Sequence, residues 1–421
     1  MPRGYSTSEP EIGKASLLLR IARSLQKYPP ALLAIEQEFQ AFVLHLKQLG
    51  GTTQRGATPT TQDILRAIVQ FLRAYDGEDA GHVQLIGIKT LRKFIELSNE
   101  NASGSAAEWG AEDWAQSKLA VQQSQNELVN LQAVSLVISL FTKTKDRALR
   151  SECLLLMIAL LLGGNPQAQE EFRAQAADYP GNKYLHALKS LLMSSFERVR
   201  SSYLSRIVQS EKLMRESCLE TALTGAVSDV STPWVNSHQV TEEDQHTEAQ
   251  QLAKNVLRVL QLLCEGHNLA MQRFLREQRE SGTVSAKSLN LVALVGSILA
   301  MYVKILHKDN LELGFQVLDT LTEMTQGPCR DNQRELSQPK LIDNGRDLLI
   351  SLSTKTEKEV RGFDPEDDLS DDISELKSKT ASFLLSLLEG EVDYDIVNRI
   401  VSTLDLKMIK ERMSEVFKIF V

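Results

Sequence analysis

The chain has 421 residues, of which 42% are hydrophobic and 24% charged, and its formal net charge is −8. This length exceeds one small core and predicts two to four structural units. An acidic chain without a block of Lys and Arg is poorly suited to neutralising phosphates, which argues against nucleic-acid binding. The four cysteines form no CxxC pair, so neither a zinc knuckle nor a disulfide framework is expected.

Proline and glycine divide the first part of the chain into helical segments. The stretch from Ile12 to Gln48 predicts two helices, separated at Pro29-Pro30. A helix is predicted from Gln62 to Tyr75. Apolar residues spaced three and four apart predict an amphipathic helix from Val83 to Ser98, and the polar stretch from Asn99 to Asp113 predicts a linker.

Longer and more apolar helices are predicted from Trp114 onward. Leu131 to Phe141 and Cys153 to Leu162 are two such segments. The sequence Gly163-Gly164-Asn165-Pro166 is typical of a helix end followed at once by a helix start. Glycine adopts the left-handed turn, Asn165 can cap the next helix, and Pro166 suits its first position.

Polar stretches suggest where the chain divides. Val227 to Thr247 is polar and contains Pro233, which predicts a linker, and Asp364 to Asp372 predicts a charged loop. We therefore expect four parts: an N-terminal helical segment (1–112), a helical solenoid block (113–214), a flexible linker (215–248), and a C-terminal helical domain (249–421) with an acidic loop (364–372).

The predicted fold class is all-α, without a β-sheet. Many helices joined by short turns favour an α-solenoid of armadillo-like stacked helical pairs, with a compact helical bundle as the alternative. Two apolar runs, Cys153 to Gly163 and Leu291 to Val303, are shorter than the roughly 20 residues that a membrane-spanning helix needs. No membrane span is therefore expected in this chain.

No catalytic signature is present, so an enzyme is not expected. The chain lacks the P-loop, HExxH, GxSxG and kinase motifs. The acidic run from Asp364 can be counted as an EF-hand loop that ends at Glu375. Leu369 then occupies the position where that loop needs glycine, so a solvated charged loop is the better interpretation.

Two short clusters each place a glutamate near a helix end. In the first cluster, Glu265 precedes Gly266, which breaks the helix, and Asn268 can cap the next helix. In the second cluster, Glu323 and Gln326 lie one turn apart before a Gly-Pro break. The negative end of a helix dipole favours a cation, although acidic residues near helix ends are common and their spacing alone does not indicate a metal.

These clusters carry a resemblance to a known family. Residues 250–421 resemble the RIH-associated region of the inositol trisphosphate and ryanodine receptors, and residues from about 120 onward resemble the helical solenoid preceding it. The stretches that carry it are Val256–Asn268, Gln272–Arg276, Leu318–Gln333, Ser382–Gly390 and, upstream, Leu160–Phe172. Asp343–Asp347 is more similar to the inositol trisphosphate branch, and Ser386–Gly390 to the ryanodine branch.

The resemblance implies a calcium site. In this family two glutamates of the region, together with a backbone carbonyl from elsewhere in the channel, hold the activating calcium ion. In the matching motifs, Glu265 and Glu323 occupy the positions of these two glutamates. His267 and Gln326 occupy the positions that support the calcium site. Hard carboxylate oxygens agree with calcium chemistry. The chain departs from the family pattern at Gly266, where Asn is usual, and at Met324, where Tyr is usual.

The function implied is that of a cytosolic regulatory module of an inositol trisphosphate receptor-like calcium-release channel, which couples calcium binding to the pore. The alternatives are a ryanodine receptor-like channel fragment and a free-standing armadillo-like scaffold that binds proteins. The resemblance implies as partners the rest of a channel polypeptide and neighbouring subunits of a homotetramer, at the cytosolic face of the endoplasmic reticulum. The chain is expected to be either a channel fragment or a short, divergent relative.

Overall fold

A computed structural model describes residues 61–74, 80–102, 111–178, 182–224, 237–280, 282–352, 370–390 and 393–404. These residues contain fifteen α-helices and one pair of short strands, and the predicted all-α class is confirmed. The helices are α1 Thr61–Ala74, α2 Ala80–Ala102, α3 Ala111–Asn130, α4 Ala133–Lys143, α5 Arg147–Leu161, α6 Pro166–Asp178, α7 Lys183–Thr224, α8 Ser237–Cys264, α9 Leu269–Arg276, α10 Leu291–Ile305, α11 Leu311–Glu323, α12 Arg330–Leu336, α13 Pro339–Ser351, α14 Ser370–Ser386 and α15 Tyr394–Thr403.

The chain divides into two compact units between Tyr184 and Leu185. In the first unit, α2 packs against α3 and α5, and α4 packs against α5 and α6. The apolar stripe predicted for α2 is buried at Ile88, Leu91 and Phe94. The interior of this unit is therefore formed by the helix faces that the 3.6-residue period predicts.

The turn between α5 and α6 has the predicted form. Gly163 and Gly164 adopt left-handed φ angles of 78° and 68°. Asn165 Oδ1 accepts hydrogen bonds from the backbone N–H groups of Gln167 (3.0 Å) and Ala168 (3.2 Å), and Pro166 is the first residue of α6. These bonds satisfy donors that the first helical turn would otherwise leave without partners.

The second unit has α8, α11 and α14 as successive neighbours in one layer, since α11 packs against both of the others. The second layer contains α10 and α13, which pack against each other. The short helices α9 and α12 also contact each other and lead into this second layer. The chain thus passes twice through the same three-helix order, first as α9–α10–α11 and then as α12–α13–α14. This stacking of successive helices confirms the predicted all-α solenoid class.

A recurring hydrogen-bond arrangement, here called the glutamine clamp, marks these sets. In each clamp, a buried glutamine donates both hydrogens of Nε2 to backbone carbonyls three residues apart at the end of another helix. Gln272 on α9 holds the end of α11, and Gln333 on α12 holds the end of α14. In the first unit, Gln125 on α3 holds the end of α5 in the same way. The carbonyls are those of Glu323 and Gln326, Ser386 and Glu389, and Ala159 and Leu162.

The predicted linker at 215–248 differs from the observed structure. Residues 215–224 continue α7, and residues 237–248 form the start of α8, so only 225–236 lies outside the described residues. Residues 237–248 are polar and residues 215–224 have a mixed composition, but neither stretch contains Gly or Pro, and without a helix breaker a polar composition does not end a helix. The compact units also divide within the first turn of α7 and not at this stretch.

Other predicted features fall partly or wholly outside the described residues. The two helices expected between Ile12 and Gln48 lie outside them, as do residues 364–369 of the acidic loop. Residues 370–372 of that loop, by contrast, belong to α14. The strands Arg279–Glu280 and Thr283–Val284 form an antiparallel pair between α9 and α10, which is the exception to the predicted absence of a sheet. None of the described helices combines the length and apolarity needed to span a membrane.

Candidate metal centre

Two parallel helices bring the two predicted glutamates to one edge of the second unit. The hydroxyl of Thr320 on α11 donates to the carbonyl of Leu257 on α8 at 3.1 Å. Gln250, near the middle of α8, meets the carbonyl of Asp309 just before α11 begins (3.3 Å), so both helices run in the same direction. Their C-terminal ends therefore lie side by side, and Glu265 follows one end while Glu323 is the last residue of the other.

The end of α8 turns sharply at the first glutamate. Glu265 is half-buried and its N–H donates to the Gln261 carbonyl, which completes the last helical turn. Gly266 and His267 then adopt left-handed φ angles of 76° and 61°, and Asn268 Oδ1 caps α9 by accepting from Met271 N–H at 3.1 Å. A left-handed non-glycine residue is uncommon, so the backbone at His267 is held by its surroundings.

The neighbouring helix end supplies part of those surroundings. Gly327, which follows the end of α11, has a φ of 89°. A Cβ atom at this position would lie 2.4 Å from His267 Cβ, so the two turns are in direct contact and only glycine fits there. The predicted supporting residue His267 is exposed, and Gln326 is half-buried beside Gly327. The structure thus brings all four predicted site residues to adjoining helix ends.

The electrostatics of Glu323 reflect its position. Burial raises the pKa of its carboxyl group, and the negative charge of Glu265 raises it further, while His267 and Arg258 act in the opposite direction. The Oε2 atoms of both glutamates are buried, and that of Glu323 accepts no hydrogen bond from the described residues. A buried carboxylate beside a second carboxylate is costly when ionised, and a bound cation would offset this cost.

Two buried amides fix the backbone that carries Glu323. Gln272 Nε2 donates to the carbonyls of Glu323 (2.7 Å) and Gln326 (2.8 Å). Asn332 Nδ2 donates to the carbonyls of Met324 (2.8 Å) and Gln272 (3.1 Å), which joins α12 to the same turn. Both amide side chains are fully buried. Three carbonyls at the end of α11 therefore have fixed donors, and this end of the helix has a defined conformation.

The end of α14 completes the row of helix ends. Glu389 Oε2 accepts from the N–H of Gly327 at 3.0 Å, and the hydroxyls of Thr325 and Ser386 lie 2.7 Å apart. Lys379 on α14 forms an ion pair with Asp319 on α11 at 2.8 Å. Sequence reasoning missed Gln272, Asn332 and Glu389 as residues of this region. All three lie within stretches that carry the family resemblance, but their roles depend on contacts that the local sequence does not show.

The cysteines nearby are packing residues in this structure. Cys264 and Cys329 are buried free thiols. Burial raises the pKa of both thiols, and the negative charge of Glu323 raises that of Cys264 further. A thiol with a raised pKa carries little thiolate at neutral pH and is a poor metal ligand. The candidate ligands are therefore the carboxylates and not the sulfur atoms.

The two carboxylates can supply only part of a coordination shell. Among the described residues, no group of three or more His, Cys, Asp or Glu side chains has an arrangement suited to a metal ion. Calcium takes six to eight oxygen ligands, and carboxylates with backbone carbonyls are its usual protein ligands. Three helix C-termini also point to this edge, and their partial negative charges favour a cation. The chemistry of these residues fits a hard cation whose shell needs further oxygens.

The second compact unit is therefore a stack of helices in which two parallel helices, α8 and α11, end beside each other and carry a pair of glutamates. Residues 247–349, which contain both glutamates, match the family model described as RyR and IP3R Homology associated. The family resemblance predicted from the sequence is thereby confirmed for residues 247–349.

A curated relative shows the same similarity. The chain is 35% identical over 156 residues to the inositol 1,4,5-trisphosphate receptor itr-1 of Caenorhabditis elegans. The alignment covers 36% of this chain and 5% of the receptor, so the chain corresponds to a small part of the length of that relative.

Proposed function

We propose that the chain is a calcium-responsive regulatory module of an inositol trisphosphate receptor-like calcium-release channel. The observation that supports it most is the position of Glu265 and Glu323 at the ends of two parallel, adjacent helices. A bound calcium ion would supply the positive charge that this carboxylate pair lacks. Glu265 and Glu323 would be its direct ligands, with His267 and Gln326 in supporting positions. We propose no catalytic activity.

The same geometry suggests how calcium would act on the rest of a channel. The two glutamates belong to different helices, so an ion held by both would draw the ends of α8 and α11 together. The end of α11 is in turn bonded to α14 through Gly327 and Thr325. Calcium can shift such an arrangement only to the extent that it binds one arrangement more tightly than another. The row of helix ends is therefore the proposed coupling element.

The wider setting is also part of the proposal. The module would belong to a larger channel polypeptide that forms a homotetramer, and it would face the cytosol at the endoplasmic reticulum. A further oxygen ligand would come from another part of that channel. The ryanodine receptor-like reading is the nearest alternative, because the matched family description names both receptors. A free-standing scaffold would have the same helices but no response to calcium.

The test is calcium-dependent hydrogen exchange of the full chain, measured by mass spectrometry. Two carboxylates form an incomplete shell, so we expect weak binding, on the order of millimolar. Wild type should show progressive protection of residues 322–329 as calcium is raised to on the order of 10 mM. Glu265→Gln and Glu323→Gln keep the side-chain size, remove the charge and should abolish this protection.

Glu375→Gln is the matched control, because Glu375 is an exposed carboxylate on α14 that belonged to the rejected EF-hand interpretation. This control should respond to calcium like wild type. Two outcomes would refute the proposed site. One is the absence of calcium-dependent protection in wild type. The other is that Glu375→Gln loses this protection while Glu265→Gln and Glu323→Gln keep it.

A further inference from the structure

We propose that Gln272 is the positioning residue of the glutamate pair, because it holds the helix end that carries Glu323 beside the turn that carries Glu265. This inference rests on the proposed function and names the residue on which the geometry of that site depends. Gln272 belongs to α9, 51 residues away in sequence from Glu323, and its side-chain Nε2 donates to backbone carbonyls of the turn that carries Glu323. Its role would be to fix the backbone from which the ligand extends.

The contacts of Gln272 are suited to this role. Its side chain is fully buried, and both hydrogens of Nε2 are used, one on the Glu323 carbonyl at 2.7 Å and one on the Gln326 carbonyl at 2.8 Å. The two carbonyls come from the ligand residue and from the predicted supporting residue. One amide group therefore sets the relative position of both, which a bond to a single carbonyl would not do.

Gln272 is also linked to the turn that carries the other glutamate, because its N–H donates to the Asn268 carbonyl at 2.9 Å. It lies four residues after Asn268, the residue that caps α9 and ends the turn that begins at Glu265. The turn with Glu265 thus leads into the helix that carries the glutamine clamp on Glu323. Since α9 is short and its start is fixed by the cap, movement of either glutamate turn would be transmitted to the other through Gln272.

The chain offers a control that separates positioning from ordinary packing. Gln125 makes the same clamp in the first unit, with bonds of 2.8 Å and 2.9 Å to the carbonyls of Ala159 and Leu162. It is equally buried, and it additionally accepts a bond from Asn165. The helix end that it holds carries Leu162 and no carboxylate ligand. Loss of the Gln125 clamp should cost at least as much structurally as loss of the Gln272 clamp, because it removes one more hydrogen bond, but only loss of the Gln272 clamp should affect calcium.

The experiment compares Gln272→Met with Gln125→Met in the full chain, using hydrogen exchange with and without calcium. Methionine keeps the length of glutamine but donates no hydrogen bond. Without calcium, Gln272→Met should speed exchange at 322–329, and Gln125→Met should speed exchange at 159–165. With calcium, Gln272→Met should weaken the apparent affinity about tenfold or more, as loss of an outer-shell partner does at metal sites. Gln125→Met should keep the wild-type affinity.

Each outcome decides between the explanations. Equal calcium affinities in Gln272→Met and wild type, or equal losses in both glutamine variants, would overturn the positioning role. If Glu265→Gln and Glu323→Gln bind calcium like wild type, the proposed function fails, and the calcium-free exchange at 322–329 still decides whether Gln272 holds the turn. Should Gln272→Met fail to fold, as judged by circular dichroism, Gln272→Asn takes its place, because it keeps the amide and only shortens its reach.

Discussion

Substitution of Gly327 by alanine tests the contact between the two glutamate turns. Gly327 has a left-handed φ of 89°, and a Cβ there would lie 2.4 Å from His267 Cβ and 2.8 Å from its Cγ. The left-handed conformation costs an L-residue roughly 1–2 kcal/mol. Overpacking against the Cβ and Cγ atoms of His267 adds about 1–3 kcal/mol. Gly327→Ala should therefore lower the free energy of unfolding by about 2–5 kcal/mol.

Gly266→Ala is the matched control within the same compact unit. Gly266 also has a left-handed φ, of 76°, but no atom lies within 4 Å of its Cβ position. This variant should incur only the conformational cost of roughly 1–2 kcal/mol. Urea unfolding of both variants, followed by circular dichroism, measures the difference. Equal destabilisation, or a larger loss in Gly266→Ala, would refute the close approach of the two turns.

Two further predictions follow from burial around the glutamate pair. Burial and the charge of Glu265 raise the pKa of Glu323 above its ordinary value of 4.5. The stability that this carboxyl group contributes to the fold is therefore fully present below pH 4.5, and it is lost as the pH rises through the raised pKa. Glu323→Gln should therefore be at least as stable as wild type in urea at neutral pH, with the difference disappearing near pH 4.5, and a variant that is less stable at neutral pH would contradict this. Cys264 and Cys329 should resist alkylation by iodoacetamide in the native chain and react after unfolding, because both are buried and burial raises their thiol pKa. Native-state labelling of either thiol as fast as in the unfolded chain would show that the helix ends are open.

Local sequence signals correctly placed several helix boundaries. The asparagine caps at Asn165 and Asn268 and the left-handed glycines before them are set by residues adjacent in sequence. Such features depend on backbone conformation and on side chains within one helical turn, so composition and spacing are sufficient to predict them. The two glutamate clusters were found for the same reason, as carboxylates beside a helix break.

The arrangement of these elements could not be predicted from local pattern. That α8 and α11 run parallel depends on bonds such as Thr320 to Leu257, which join residues 63 positions apart. The glutamine clamp of Gln272 likewise spans 51 positions, and a buried glutamine has no local pattern that distinguishes it from an exposed one. The helical residues within 215–248 were missed because polar composition was given more weight than the absence of Gly and Pro.

The most direct measurement for the central claim is an anomalous-scattering experiment on crystals of the full chain grown with calcium in the millimolar range. We expect an anomalous peak between α8 and α11, with carboxylate oxygens of both Glu265 and Glu323 about 2.3–2.6 Å from the ion. The peak should be absent in crystals of Glu323→Gln grown under the same conditions. A calcium peak elsewhere on the chain with none between these two glutamates would contradict the account.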